Sequence, residues 1–351
     1  MRKMNVLIAT VQVPFIHGGA EVHAEQLCRA LRAAGHQVEI VAIPFKWYPP
    51  ERIADHILAC RLLDLTESCG VGIDRVIGLK FPAYLIPHPN KVLWILHQHR
   101  QAYDLWDHPL GYMARFENGA GVRDAIAAAD RQWIPEAKTV FANSRNVAMR
   151  LKQFCGIDSE PLYHPPQHAE KFYCAADEGY LFYPSRLTTL KRQGLVLQAL
   201  AQTKNPVRVR FSGSPENPAF AAELINLTHR LEVDQRVEWL GYITEAEKLR
   251  NYAHARGVLF PPVDEDYGYI TLEAMLAAKP VITCTDSGGA LEFVLDRQTG
   301  LIAEPDPASL AAAMDDLWEN PGRAKRWGEA GRERYLSLGI SWPKVIERLL
   351  A

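Results

Sequence analysis

Apolar and polar residues fall along the chain in short blocks whose period switches between that of a buried strand and that of an amphipathic helix. Val6 to Val11 is a compact run rich in β-branched residues, and a loop with Gly18-Gly19 follows. Glu21 to Ala34 then has helical periodicity, Gly35 closes it, and Val38 to Ile43 is apolar again. This is a βαβ unit and predicts a parallel sheet. Val76 to Leu79, Lys91 to Leu96 and Thr139 to Ala142 read as further buried strands, the last followed by an amphipathic helix from Ser144 to Phe154. Between them, Gln101 to Glu136 is first aromatic and glycine-bearing, then alanine-rich and helical through Ala125 to Ala129. It interrupts the alternation and reads as a substrate-facing insertion.

After Pro165-Pro166 the alternation restarts. Strands are predicted at Tyr180 to Tyr183, Val207 to Phe211, Val237 to Trp239, Gly257 to Phe260 and Pro280 to Thr283. Helices are predicted at Leu195 to Gln202, Phe220 to Leu231, Ala246 to His254 and Leu272 to Ala278. The stretch from Pro307 reads as helical, broken at Pro321 and near Ser341-Trp342-Pro343. The expected division is a first domain over 1–167, a second over 168–335, and a last helix within 336–351 crossing back to the first. A chain of 351 residues fits two cores better than one.

Composition narrows the function classes. With 48% hydrophobic and 23% charged residues the chain reads as an ordinary globular protein. A net charge of -2 argues against a nucleic-acid partner, which would demand a basic excess. The six cysteines form no C-x-x-C pair, so no zinc site or disulfide framework is indicated and a reducing cytoplasm fits. The apolar run after Met1-Arg-Lys is too short for a signal core or a membrane span.

The sharpest chemistry lies in Phe260-Pro-Pro-Val-Asp-Glu265-Asp-Tyr267-Gly268-Tyr269-Ile-Thr-Leu-Glu273, where a strand runs through a loop into a helix. A carboxylate's paired acceptors match vicinal hydroxyls, which makes Glu273 a ribose candidate and lets Glu265 face a second sugar. Gly268 would let backbone amides approach an anion at the helix start. Arg186 and Lys191, just past a strand, could neutralise the charge that a departing nucleotide diphosphate develops. With those cations present, Asp264-Glu265-Asp266 is not read as a metal-holding D-x-D, and no metal or other cofactor is expected. Taken singly, these residues would read as solvated charges, and Arg192 as a surface cation.

In the first half, His17-Gly18-Gly19-Ala20-Glu21 joins strand to helix; it is not G-x-G-x-x-G, so either a diphosphate-facing turn or a purely structural one fits. His97-Gln98-His99-Arg100 follows another strand. His97 is the candidate for a sugar pocket, and His99 is expected to be solvated or to face an acceptor.

Together these residues resemble the retaining glycosyltransferases of the GT-B fold, family GT4 (glycosyl transferases group 1). Glu265 and Glu273 stand as the family's E-x7-E, followed by Ala274-Met275 and by Ser287-Gly288-Gly289-Ala290-Leu291-Glu292. Arg186 and Lys191 match its basic pair, with Ser185 where glycine often stands. Gly18-Gly19-Ala20-Glu21 matches its Gly-Gly-x-Glu loop, and Phe141-Ala142-Asn143-Ser144 a further segment. The resemblance implies two doubly wound Rossmann-like α/β domains facing each other across a cleft. It implies metal-independent transfer of a sugar from a UDP- or GDP-sugar to a saccharide or lipid-linked acceptor, with retention, in the cytoplasm or at the inner membrane face.

By position, Glu273 looks like the ribose ligand, Glu265 the donor-sugar acid, and Arg186 and Lys191 the diphosphate clamp. Tyr267, Gly268 and Tyr269 look like loop contacts, as do Gly18 and Gly19. Gly213, in Phe211-Ser-Gly213-Ser-Pro215, lies where the family has Gly-x-Gly-Pro beside the nucleotide, and Tyr242 and Ile243 where it touches the base. His97 matches a first-domain histidine. A nucleotide-sugar 2-epimerase of the same shape, or a non-catalytic nucleotide-sugar or glycan-binding protein, are the rival readings.

Overall fold

The computed structural model describes residues 2–15 and 18–351. The chain divides into two compact units, Met1–Gln167 with Ser341–Ala351, and His168–Ile340.

In the first unit six strands, β1 (Asn5–Gln12), β2 (Gln37–Pro44), β3 (Arg75–Gly78), β4 (Lys91–Ile95), β5 (Thr139–Ala142) and β6 (Glu160–Pro161), form one sheet in the order β2-β1-β3-β4-β5-β6. Every pairing is parallel. Side chains of successive residues leave opposite faces, and both faces are packed: Val6, Ile8, Val92 and Trp94 enter one apolar cluster, Ala9, Val11, Leu93 and Ile95 the other. This is why the strands read as unbroken apolar runs.

The helix Trp342–Leu350 belongs to this unit. It buries Val345, Ile346, Leu349 and Leu350 against Leu27, Leu31 and Ile8. The Arg75 guanidinium donates to the carbonyls of Leu349 and Ala351 at 3.1 and 3.2 Å, satisfying helix-end acceptors. The preceding helix, Pro321–Ser337, stays with the second unit, which therefore runs to Ile340 and not to residue 335. The reason is local: a side chain at Gly328 would place its Cβ 2.0 Å from the carbonyl oxygen of Ala278, so the helix lies directly on the second unit's backbone.

His23 and His164 are buried beside Trp94 and Trp342, with His23 Nδ1 2.9 Å from His164 Nε2. Burial holds His164 down to about 3, against the usual 6.5. The unfolded chain therefore takes up this proton near pH 6.5 while the folded chain refuses it, so stability is fully present above that pH and is lost as pH falls toward 3. At pH 4.5 the loss from one such ring is on the order of 3 kcal/mol. Melting temperature followed from pH 7 to pH 4.5 should fall, and fall less steeply in His164→Phe; equal slopes would contradict the assignment.

The second unit repeats the plan with β7 (Leu181–Pro184), β8 (Val209–Ser212), β9 (Val237–Trp239), β10 (Gly257–Leu259), β11 (Val281–Cys284) and β12 (Gly300–Ala303). Their order is β9-β8-β7-β10-β11-β12, again all parallel. Because successive crossovers run outward in opposite directions from β7 and β10, the loops leaving these two strands part there and open a crevice.

Candidate active site

The loops that leave the carboxyl ends of β7, β8, β10 and β11 are tied to one another by backbone hydrogen bonds. Leu187 N donates to Ser214 O at 3.0 Å, Val263 N to Leu190 O at 2.8 Å, Asp264 N to Asp286 O at 2.9 Å and Gly289 N to Glu265 O at 2.7 Å. Two glycines permit the closest approaches. A Cβ on Gly213, whose φ is +132°, would lie 2.1 Å from the Ser185 oxygen, and one on Gly289 would lie 2.7 Å from the Asp266 oxygen. Gly268, φ +79°, caps the helix Tyr269–Leu276 and packs on Ala290.

On this scaffold Lys191 and Glu265 come together, and Arg186 follows the same strand, β7, that leads to Lys191. The Lys191 ammonium donates to the Glu265 carboxylate and stands 5.3 Å from the centre of the Phe260 ring. Tyr183 O–H donates to the Lys191 carbonyl, which fixes the main chain of that loop. The Arg186 side chain is exposed, and its guanidinium has no hydrogen-bond or ion-pair partner among the described residues, while its carbonyl accepts from Gln193 Nε2 at 2.9 Å.

Glu273 sits one turn into the helix that Gly268 starts, and is only 8% exposed. Its two oxygens accept from Lys248 Nζ at 3.0 Å and Tyr252 O–H at 2.7 Å. Burial works to lower the Lys248 pKa, but the Glu273 and Glu245 carboxylates outweigh it and the value is raised. Lys248 and Tyr252 escape the sequence reading. Their signal is a spacing of four on one helix, Glu245–His254, but nothing in the sequence links that face to a residue 25 positions away.

Several expectations need correction. Arg192 is not a solvated cation: it makes two hydrogen bonds to Asp286, a contact across 94 residues. Tyr267 is 2% exposed, with its ring edge-on to Phe293 and Tyr269, so the ring is packing and not an open contact. Tyr242 is 83% exposed beside Ile243, and the neighbouring Gly241 carbonyl accepts from Gly213 N, which places that segment next to the β8 loop.

In the first unit, His97 follows β4 half-buried, its Nδ1 2.7 Å from the Gln98 carbonyl. His99 is half-buried. It packs 5.6 and 6.3 Å from the Phe81 and Phe45 rings, and burial holds it down to about 3, so it is neutral. Behind this loop the buried Asp130 accepts from Tyr103 O–H at 2.7 Å, Tyr84 O–H at 2.9 Å and Gln98 Nε2 at 3.3 Å. Burial pushes its pKa up to about 6 against those bonds. The Gly18 amide donates to the Glu21 carboxylate at 2.8 Å at the start of the helix Gly19–Ala33. His17 lies outside the described residues.

Residues 167–334 match the family described as glycosyl transferases group 1. The alpha-maltose-1-phosphate synthase of Mycolicibacterium smegmatis is 34% identical over 151 residues, which is 40% of this chain and 38% of that protein, so the match spans about two fifths of the relative's length. The structure of a sucrose-phosphate synthase from Thermosynechococcus elongatus superposes with a TM-score of 0.81 at 18% identity, covering 99% of this chain and 97% of that one. The HepE protein of Anabaena, solved with UDP-glucose, superposes with a TM-score of 0.73 at 17% identity, covering 99% and 98%. The paired Rossmann-like units are those of the GT-B fold. Over residues 167–334, which carry Arg186, Lys191, Lys248, Glu265 and Glu273, the chain is similar to the glycosyl transferases group 1 family.

Proposed function

We propose that the protein is a retaining glycosyltransferase that takes a sugar from a nucleotide-diphosphate sugar and passes it to a hydroxyl of a saccharide or lipid-linked acceptor without a metal ion. The observation that carries this reading is the joining of Lys191 and Glu265 on two loops at the sheet's switch point, with Arg186 exposed on the Lys191 loop. A nucleoside diphosphate leaving group gains negative charge as the glycosidic bond breaks, and the Arg186 and Lys191 cations stabilise that charge. In that step Lys191 exchanges the Glu265 carboxylate for phosphate oxygen, and Glu265 turns to the sugar hydroxyls. Glu273, held in place by Lys248 and Tyr252, keeps lone pairs for the two ribose hydroxyls.

UDP-glucose in the HepE structure makes a uridine donor the first to test, with GDP-sugars next. The roles of Gly213, Tyr242 and Ile243 are contacts to the base, chiefly through backbone. His97 is the first unit's candidate for the sugar. Among the described residues no helix is long and apolar enough to cross a membrane, and a lipid-linked acceptor would be met at a membrane surface by folded protein.

Retention places the departing diphosphate and the attacking hydroxyl on one face of the sugar, so the diphosphate itself accepts the hydroxyl proton. Proton NMR of the product formed from an α-linked donor, with EDTA present, is expected to show an α-anomer at an undiminished rate. A β-anomer would end the retaining mechanism, and a rate abolished by EDTA would end the metal-free one. Conversion of the donor without any acceptor into its 2-epimer would favour an isomerase instead.

A further inference from the structure

The amino ends of the second unit's strands, opposite to the donor loops, hold a second site. A cavity of about 430 Å³ opens there, lined among others by Cys174, Asp177, Arg256, Lys279, Pro321 and Lys325. Arg256 immediately precedes β10, Lys279 lies two residues before β11, and Asp177 lies in the segment leading to β7. No residue of the Lys191–Glu265 cluster lines it.

The charge in this cavity is not balanced by the protein. Asp177 is matched by Arg256, whose Nε donates to it at 2.6 Å. Lys279 is 5% exposed, and its ammonium meets a single backbone carbonyl, that of Ala175, at 3.3 Å. Among the described residues no carboxylate pairs with it. A buried ammonium without an anion is costly, several kcal/mol for a fully buried one. Lys325 is exposed and reaches Glu329 only at 3.9 Å, a geometry worth little. The first turn of the helix Pro321–Ser337 borders the cavity, so its positive end adds to the local field, while its Arg323 and Ala324 amides already donate to the Asn320 carbonyl. One carboxylate against three cations and a helix terminus leaves room for a dianion.

We propose that this cavity binds a phosphate-bearing small molecule, its phosphate held by Lys279 and Lys325. The volume accommodates a phosphorylated sugar-sized ligand, a small member of the usual range of ligand sites. The helix Tyr269–Leu276 runs from Gly268 at the donor loops to Ala278-Lys279 at this cavity, so occupancy acts on the element that carries Glu273.

Cys174 on the lining is exposed, and Cys69, exposed in the other unit, serves as an internal reference. The full chain is labelled with N-ethylmaleimide at fixed ionic strength, with inorganic phosphate replacing chloride, and each cysteine is followed by peptide mass spectrometry. Phosphate at about ten times its Kd should slow Cys174 labelling roughly tenfold by mass action and leave Cys69 unchanged. Lys279→Met should lose the protection, and Lys191→Ala, altered only at the donor loops, should keep it. Should Lys279→Met fail to fold, Lys325→Gln replaces it and should need severalfold more phosphate for the same protection. Labelling of Cys174 indifferent to phosphate, protection undiminished in the cavity variants, or protection lost in Lys191→Ala would each overturn the proposal.

Discussion

Lys191→Ala is expected to lower kcat for sugar transfer by about 10²- to 10³-fold, the loss seen when one fixed donor to a developing anion is removed. The loss should appear in kcat more than in KM, because the charge that Lys191 meets grows only as the bond to the diphosphate breaks. The fold should survive. Tyr183 anchors this loop through the Lys191 carbonyl, which alanine retains, and the ammonium itself is partly exposed. Lys191→Arg should restore part of the rate, since it returns the charge but not the point geometry. Turnover is measured with the donor found by thermal-shift screening, alongside circular dichroism of each variant. A Lys191→Ala protein with wild-type kcat would remove the clamp from the mechanism.

Gly213→Ala is expected to destabilise the second unit by about 3 kcal/mol, and to weaken donor binding with it. Its φ of +132° lies where only glycine is comfortable, a strain of about 1–3 kcal/mol. The added methyl would also stand 2.1 Å from the Ser185 oxygen and 3.0 Å from the Arg186 amide, both backbone, so relief requires moving the strand end that presents Arg186. Gly241→Ala supplies the comparison: φ is +64° and nothing lies within 4 Å, so strain of about 1–2 kcal/mol acts alone. Urea unfolding of the three proteins separates the two contributions. If Gly213→Ala unfolds at the same midpoint as Gly241→Ala, the close approach carries no cost and the account of this loop is wrong.

The same two residues mark how far a sequence reading reaches. Gly213 is legible as a loop glycine after an apolar run, yet nothing local shows that its missing side chain makes room for Ser185, 28 positions earlier. Glu265 and Lys191 are legible as candidates because each follows a strand, and their contact spans 74 residues of chain. The Glu273 partners Lys248 and Tyr252, and the pairing of Arg192 with Asp286, are invisible for the same reason. His99 reads from sequence as polar beyond a strand, whereas Phe45 and Phe81 arrive from other segments to cover part of its ring. The Gly18 amide reads from sequence as open to an anion, and in the fold the Glu21 carboxylate three residues on accepts from it.

The strands and helices themselves follow from period and punctuation. Alternating apolar runs, glycines after helices and prolines at breaks set where elements begin and end, and the repetition of that pattern sets two parallel α/β sheets, because those signals act over a few neighbouring residues. Strand β12 and the helix Arg52–Leu62 were missed, the first short and the second weakly amphipathic, so neither carries much periodic signal. What only tertiary structure decided is which distant side chains share a site, which are paid for by partners, and which are buried out of use. Those outcomes depend on how strand ends and helices are brought side by side by packing of the two sheet faces, and that juxtaposition leaves no trace in the spacing of residues along the chain.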